Sequence, residues 1–296
     1  MLAPELLEEL RYVEIAVSRR VRSLRFGQNR SQSRGSGYEF DSHRKYEIGE
    51  DSRRIDWNVS ARMPELYLKR HFEEREMAVF LLIDLSRSMD FSTAAHSKRL
   101  RVVQVAANLG FSAVSDDCHF GFLAFSDQVE AFEPPRKGRG HVWRALQRLY
   151  DLKASRSGTD WSMALRFLRS QLSRASVIFL LSDFITDPKA AHLDDLPDLK
   201  VLARKHEVIP IVFEDRLETN LPVGRGLLRF RSAERRLEMV LSLSPSRKKT
   251  FEALMAQRKS KLRDFFYRLG MECLFLDVAE PFFDPLMMLF ERRRKV

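Results

Sequence analysis

Apolar runs without polar interruption recur along the chain: AVFLLID at 78–84, SVIFLLSDF at 176–184, EVIPIVFED at 207–215 and CLFLDVA at 273–279. Strands that lack in–out alternation are buried on both faces, as in a parallel sheet covered by helices. HFGFLAFSDQVEAF, 119–132, predicts one or two further strands. Between these runs the apolar period changes to three and four residues. Leu100, Val103, Ala107, Phe111 and Val114 share one helical face and Trp143, Leu146 and Leu149 another, while Met163, Leu165 and Leu168 give a further candidate helix. Phe251, Leu254, Met255, Leu262, Phe265, Phe266 and Leu269 mark a longer helix. Strands alternating with helices predict an α/β fold on a doubly wound, mostly parallel sheet.

The first quarter of the chain reads differently. Leu6, Leu10, Val13, Val17, Val21 and Leu24 form one apolar stripe over 4–26, which predicts a helix docked on a surface. Its acidic start and basic end suit the helix dipole. GQNRSQSRGSG, 27–37, has almost no apolar content and reads as a loop or linker. Residues 38–76 hold short β-like pieces such as Leu66-Tyr67-Leu68 and the turn signal Gly49-Glu50-Asp51-Ser52. They read as a small β-rich subdomain folded onto the α/β domain, too short to bury a core alone. The expected organisation is an N-terminal helix, linker and subdomain over 1–76, then the α/β domain with a C-terminal extension over 77–296.

Composition narrows the class. Of 296 residues 44% are hydrophobic and 31% charged, with only 12 Gly, which argues for a soluble globular protein over a disordered one. The apolar runs are too short to span a bilayer. The start, MLAPELLEELRYVEIA, carries acids where a signal peptide carries bases. Cys118 and Cys273 lack metal-ligand spacing, which fits a reducing compartment, most simply the cytoplasm. The formal charge of +10 permits an anionic partner. Much of it sits near the ends, at Arg19, Arg20, Arg22, Arg25, Arg30 and Arg34 and again at Arg292, Arg293, Arg294 and Lys295, as a solvated face and tail would carry it.

The candidate chemistry lies where strands end. In open parallel sheets ligands sit at the carboxyl ends of strands, where connections diverge. Asp84 ends one apolar run and is followed by Ser86 and Ser88; Asp183 ends another; Thr159, in SGTDWSMAL, precedes a helix. Together they make a hard-oxygen donor set, which suits Mg²⁺, Mn²⁺ or Ca²⁺. Neutral hydroxyls leave the ion net positive, so that it attracts a carboxylate from a partner. The alternative is that Asp and Ser cap turns at the strand exit. Asp160 and Asp187 read as caps or outer-sphere groups. His71, His119 and His141 have no ligand spacing and read as structural.

The Asp84-x-Ser86-x-Ser88 loop, Thr159 in a second loop and Asp183 after an apolar strand resemble the metal-ion-dependent adhesion site, or MIDAS, of von Willebrand factor A domains. HRKYEIGEDSRRIDWNVSAR, 43–62, is similar to a segment of the bacterial "domain of unknown function 58" family, which joins it to an A-type domain. The matching positions are Tyr46, Gly49, Asp51, Arg54, Asp56, Trp57, Ala61 and Arg62; Glu50 stands where the family usually has Asp. The resemblance runs from about residue 25 to the end. It implies a metal-dependent protein-interaction module, not an enzyme, with a MoxR-type AAA+ ATPase as partner and an adaptor or co-chaperone role toward client proteins. Arg54, Asp56 and Trp57 read as structural before they read as ligand contacts.

Two other classes fit the sequence less well. A metal-dependent hydrolase or phosphatase of the haloacid-dehalogenase kind needs a second Asp where Ser86 stands. No Gly-x-Ser-x-Gly elbow, P-loop or dinucleotide fingerprint is present. A basic nucleic-acid-binding protein fits the charge, but no helix-turn-helix, zinc finger or aromatic RNA motif accompanies it.

Overall fold

The structure, a computed structural model, describes residues 4–20, 34–35, 39–47, 50–72, 77–93, 97–155, 158–185, 196–222, 226–231 and 238–293. Val21, Leu24, Gly49, Asp187 and most of the 27–37 linker lie outside the described residues. The elements run α1 (Pro4–Arg20), β1 (Arg34–Gly35), β2 (Glu39–Lys45), α2 (Trp57–Ser60), β3 (Tyr67–Phe72) and β4 (Ala78–Asp84). Then come α3 (Lys98–Ser115), β5 (His119–Phe125), β6 (Val129–Arg136), α4 (Arg139–Asp151), α5 (Trp161–Gln171) and β7 (Ser176–Ser182). The rest are α6 (Pro197–Lys205), β8 (Glu207–Glu214), α7 (Arg216–Thr219), β9 (Gly226–Arg231), β10 (Glu238–Leu243), α8 (Pro245–Arg268), β11 (Leu274–Asp277) and α9 (Phe283–Arg293).

The chain divides into two compact units, 1–26 with 77–296, and 27–76. Of the leading segment 1–76, the helix α1 therefore belongs with the α/β unit. That unit holds a six-stranded sheet in the order β11-β8-β7-β4-β5-β6. The pairs are parallel except β5–β6, which is antiparallel. This is the doubly wound, mostly parallel arrangement that the alternation of strands and helices predicts.

The β4 sequence explains its central place. Val79, Leu81 and Ile83 point into one apolar layer with residues of α1, α3, α4 and α9. Phe80 and Leu82 point into the other, with α5, α6 and α8. A strand buried on both faces has no use for polar alternation. At the far edge, β6 carries Pro134 and Pro135, which cannot donate to a further ladder and so suit an edge strand. Gly121 of β5 lies against them: a Cβ there would sit 2.7 Å from the Glu133 carbonyl oxygen and 2.8 Å from the Pro135 nitrogen.

Helix α1 docks through Leu6, Leu10, Val13 and Val17, all buried, as its stripe predicts. Its polar side is fixed as well. Glu9 Oε2 accepts from Gln104 Nε2 at 2.7 Å, and the buried Glu14 pairs with Arg139. No helix among the described residues is long and apolar enough to cross a membrane.

The smaller unit is a three-stranded antiparallel sheet in the order β1-β3-β2. Asp51 caps a short 3-10 turn over Ser52–Arg54 through the Arg53 N–H. Asp56 caps α2 through the Asn58 and Val59 N–H groups, and His43 Nε2 lies 2.9 Å from its other oxygen.

Candidate metal centre

Asp84 is the last residue of β4 and is buried. The β4–β5 ladder runs one step further through Leu85 N–H to the Phe125 carbonyl, 2.8 Å. The chain then turns sharply. Asp84 Oδ1 accepts the Ser86 N–H at 2.8 Å, the local bond by which Asp favours a turn over strand continuation. Oδ2 accepts from Ser182 Oγ at 2.6 Å, across to β7.

Ser86, Ser88 and Asp183 converge on this point. Ser86 and Ser88 are buried and share a hydrogen bond of 3.0 Å between their hydroxyls. Ser88 Oγ donates to Asp183 Oδ1 at 3.1 Å. Asp183, buried just beyond β7, also accepts the Ile185 N–H at Oδ1, 2.9 Å, and Arg258 Nη2 at its carbonyl, 2.7 Å. The next residue, Phe184, has φ +52°, a left-handed conformation that costs a non-glycine residue about 1–3 kcal/mol. It is held there by its N–H bond to Ser182 Oγ, 2.8 Å, and by stacking on Trp161 at 5.0 Å.

Thr159 takes no part in this hydrogen-bond chain. Its Oγ1 is buried and has no partner among the described residues. The segment is placed beside the end of β5, where the Asp160 N–H reaches the Ser126 carbonyl at 2.9 Å. Asp160 itself caps α5 through the Met163 N–H, also 2.9 Å. His141 is buried, with Nε2 3.0 Å from the Phe120 carbonyl oxygen, a structural role.

Three residues at the centre carry no signal in the sequence motif: Ser182, Lys98 and Glu218. Lys98 opens α3 and is fully buried; its Nζ donates to Asp183 Oδ2 at 2.8 Å, Glu218 Oε1 at 2.6 Å and the Ser88 carbonyl at 3.3 Å. Burial pushes the Asp84 carboxyl up to about 6, and the nearby Asp183 charge adds to the rise; bonds from Ser182 and Ser86 oppose it. Burial likewise raises Glu218, against the pull of Lys98. Asp215 goes the other way. Burial alone would raise it, but bonds from Thr93, Leu217 and Ser92 outweigh that and hold it low.

The donor set is chemically uniform: two buried carboxylates and three hydroxyls, one of them without a partner. An unpartnered buried hydroxyl is what a bound cation or a water would satisfy, and hard oxygen donors fit a hard divalent cation. Among the described residues no group of three or more His, Cys, Asp and Glu could hold a metal, and this set has only two such residues.

The profile of the family described as "Protein of unknown function DUF58" matches residues 42–261. The chain belongs to that family. Among relatives, this DUF58 protein is 26% identical over 295 residues to the uncharacterized protein Rv1480 of Mycobacterium tuberculosis, covering 99% of this chain and 91% of the relative. The uncharacterized protein Mb1516 of Mycobacterium bovis matches to the same extent, 26% identical over 99% and 91% of the two chains. Among solved structures it is similar to the conserved hypothetical protein BatB from Bacteroides thetaiotaomicron, with a TM-score of 0.44 and 14% identity over 74% of this chain and 98% of that one. The SpRpn10 VWA domain gives a TM-score of 0.36 and 14% identity over 48% and 77%.

Proposed function

We propose that this DUF58 protein is a non-enzymatic, metal-dependent protein-interaction module. A divalent cation, Mg²⁺ first and Mn²⁺ or Ca²⁺ as alternatives, is held at a MIDAS-like site by Asp84, Ser86 and Ser88, with Thr159 and Asp183 direct or through water. The observation that carries this reading is the convergence of Asp84, Ser86, Ser88 and Asp183 into one buried hydrogen-bonded cluster at the carboxyl ends of β4 and β7. That is where a doubly wound sheet places a ligand. The hydroxyls of Ser86 and Ser88 bond to each other and to Asp183, and among the described residues no histidine is bonded to them as a base that would activate a nucleophile.

When bound, the cation supplies an attraction for an anionic group. The chain's own part is to keep the ion's charge incompletely neutralised, with two carboxylates and neutral hydroxyls, at the carboxyl ends of two central strands. A Glu or Asp of a partner protein completes the shell. The family resemblance supplies the partner: a MoxR-type AAA+ ATPase or one of its clients, with this protein as a cytoplasmic adaptor or co-chaperone.

Calorimetric titration with Mg²⁺ and Mn²⁺ tests the site. Wild type is expected to bind at millimolar metal or below, and folded Asp84→Ala to show no heat. Co-purification of the ATPase with wild type, Asp84→Ala and an EDTA-treated sample tests the partner. Equal recovery in all three would show that no metal bridges the contact.

A further inference from the structure

Lys98 is an unusual residue for its position. It begins α3, and a cation at a helix N-terminus opposes the positive end of the dipole. It is also fully buried, which penalises charge further. Both costs are offset by the three acceptors around Nζ, one for each N–H of an ammonium: Asp183 Oδ2, Glu218 Oε1 and the Ser88 carbonyl. Two of these belong to donors of the proposed metal site. Asp183 therefore has both oxygens engaged, Oδ1 by Ser88 and the Ile185 N–H, Oδ2 by Lys98.

We propose that Lys98 is an internal counter-cation of the site, which competes with the divalent ion for the charge of Asp183 and sets the affinity for that ion low. The proposal rests on the metal reading above. With Lys98 in place, the local carboxylates Asp84, Asp183 and Glu218 are already partly neutralised before any ion arrives. An ion held this loosely gains most from a further carboxylate, so Lys98 makes retention of metal depend on the partner. Glu218 is the balancing element. It lies on α7, in a capping box with Asp215, and it draws part of the Lys98 charge away from Asp183.

The test uses Mn²⁺ alone as the probe, with free ion counted by electron paramagnetic resonance at pH 7.5, on the full chain. Lys98→Met removes the internal cation and is expected to tighten Mn²⁺ binding by about tenfold or more, since buried charges interact in a medium of low effective dielectric. Glu218→Gln keeps the cap but leaves Lys98 less compensated, and is expected to weaken binding by about threefold or more on the same ground. Opposite signs are the diagnostic outcome, because simple damage to the site would weaken both. Equal or weaker binding by folded Lys98→Met, or a shift of both variants in one direction, overturns the proposal. If Lys98→Met does not fold, Lys98→Gln, which is neutral but keeps a polar end, takes its place, and equal or weaker Mn²⁺ binding by it overturns the proposal. Binding by Lys98→Met where wild type shows none would support Lys98 as the resident cation while refuting a metal-loaded wild type. Binding by wild type with unchanged variants would do the reverse, and no binding by any of the three overturns both.

Discussion

Thr159, in a loop beside the end of β5, and Ser182, the last residue of β7, have opposite accounts at the residue scale. Thr159 buries a hydroxyl that the fold leaves without a partner among the described residues. Replacing it with the isosteric Val is expected to leave stability unchanged or raise it by up to ~1 kcal/mol, since no bond is lost and an unsatisfied group is removed. The same variant should bind Mn²⁺ more weakly, so urea unfolding and metal titration would move in different directions. Ser182 serves two groups at once, donating to Asp84 Oδ2 and accepting from the Phe184 N–H. Ser182→Ala leaves both without that partner and is expected to cost about 1–3 kcal/mol in urea unfolding. Asp84, Ser86, Ser88 and Asp183 were readable from sequence because each stands at or just past the end of an apolar run. Lys98 was not, because its partners Asp183 and Glu218 lie 85 and 120 residues further on, and no local pattern announces a pairing at that range.

At the scale of elements, the buried strands and amphipathic helices were legible because burial on two faces, or on one, leaves its period in the sequence. The antiparallel sense of β6 was not, since an edge strand with two prolines has no period of its own. The hairpin of β9 and β10 forms a two-stranded sheet of its own, and these short strands lack the uninterrupted apolar run that marks the main sheet. Helices α6 and α9 each have Pro in or near the first turn, which suits a helix start but resembles a loop when read locally. The docked helix α1 offers a direct check. Leu10 is fully buried while Tyr12 is 74% exposed. Leu10→Ala is expected to lower stability by about 2–5 kcal/mol, and Tyr12→Ala by no more than about 0.5 kcal/mol, by denaturant midpoint at constant slope.

At the scale of the whole molecule, acid stability has an identifiable contributor. His206 is buried at the end of α6, with neither ring nitrogen bonded among the described residues. Burial, with the charge of Lys205, pushes it down to about 4 from the usual 6.5. Between those values the unfolded chain binds the proton and the folded protein does not, so His206 makes stability fall as pH drops from about 6.5 to about 4. His206→Leu removes that slope. Wild type is therefore expected to lose ground to the variant as urea midpoints are measured at pH 7, 5.5 and 4.5; a constant difference would clear His206 of the effect. The packing of α1 on α3 also has a consequence in time. On a ribosome the stripe of Leu6, Leu10, Val13 and Val17 is made before the helix that covers it, which begins only at Lys98. With synthesis at about 5–20 residues per second, roughly 80 intervening residues keep that stripe waiting for about 4–16 s. Throughout that interval the stripe of α1 in every new chain is an adhesive apolar surface, open to any neighbour before its own partner exists.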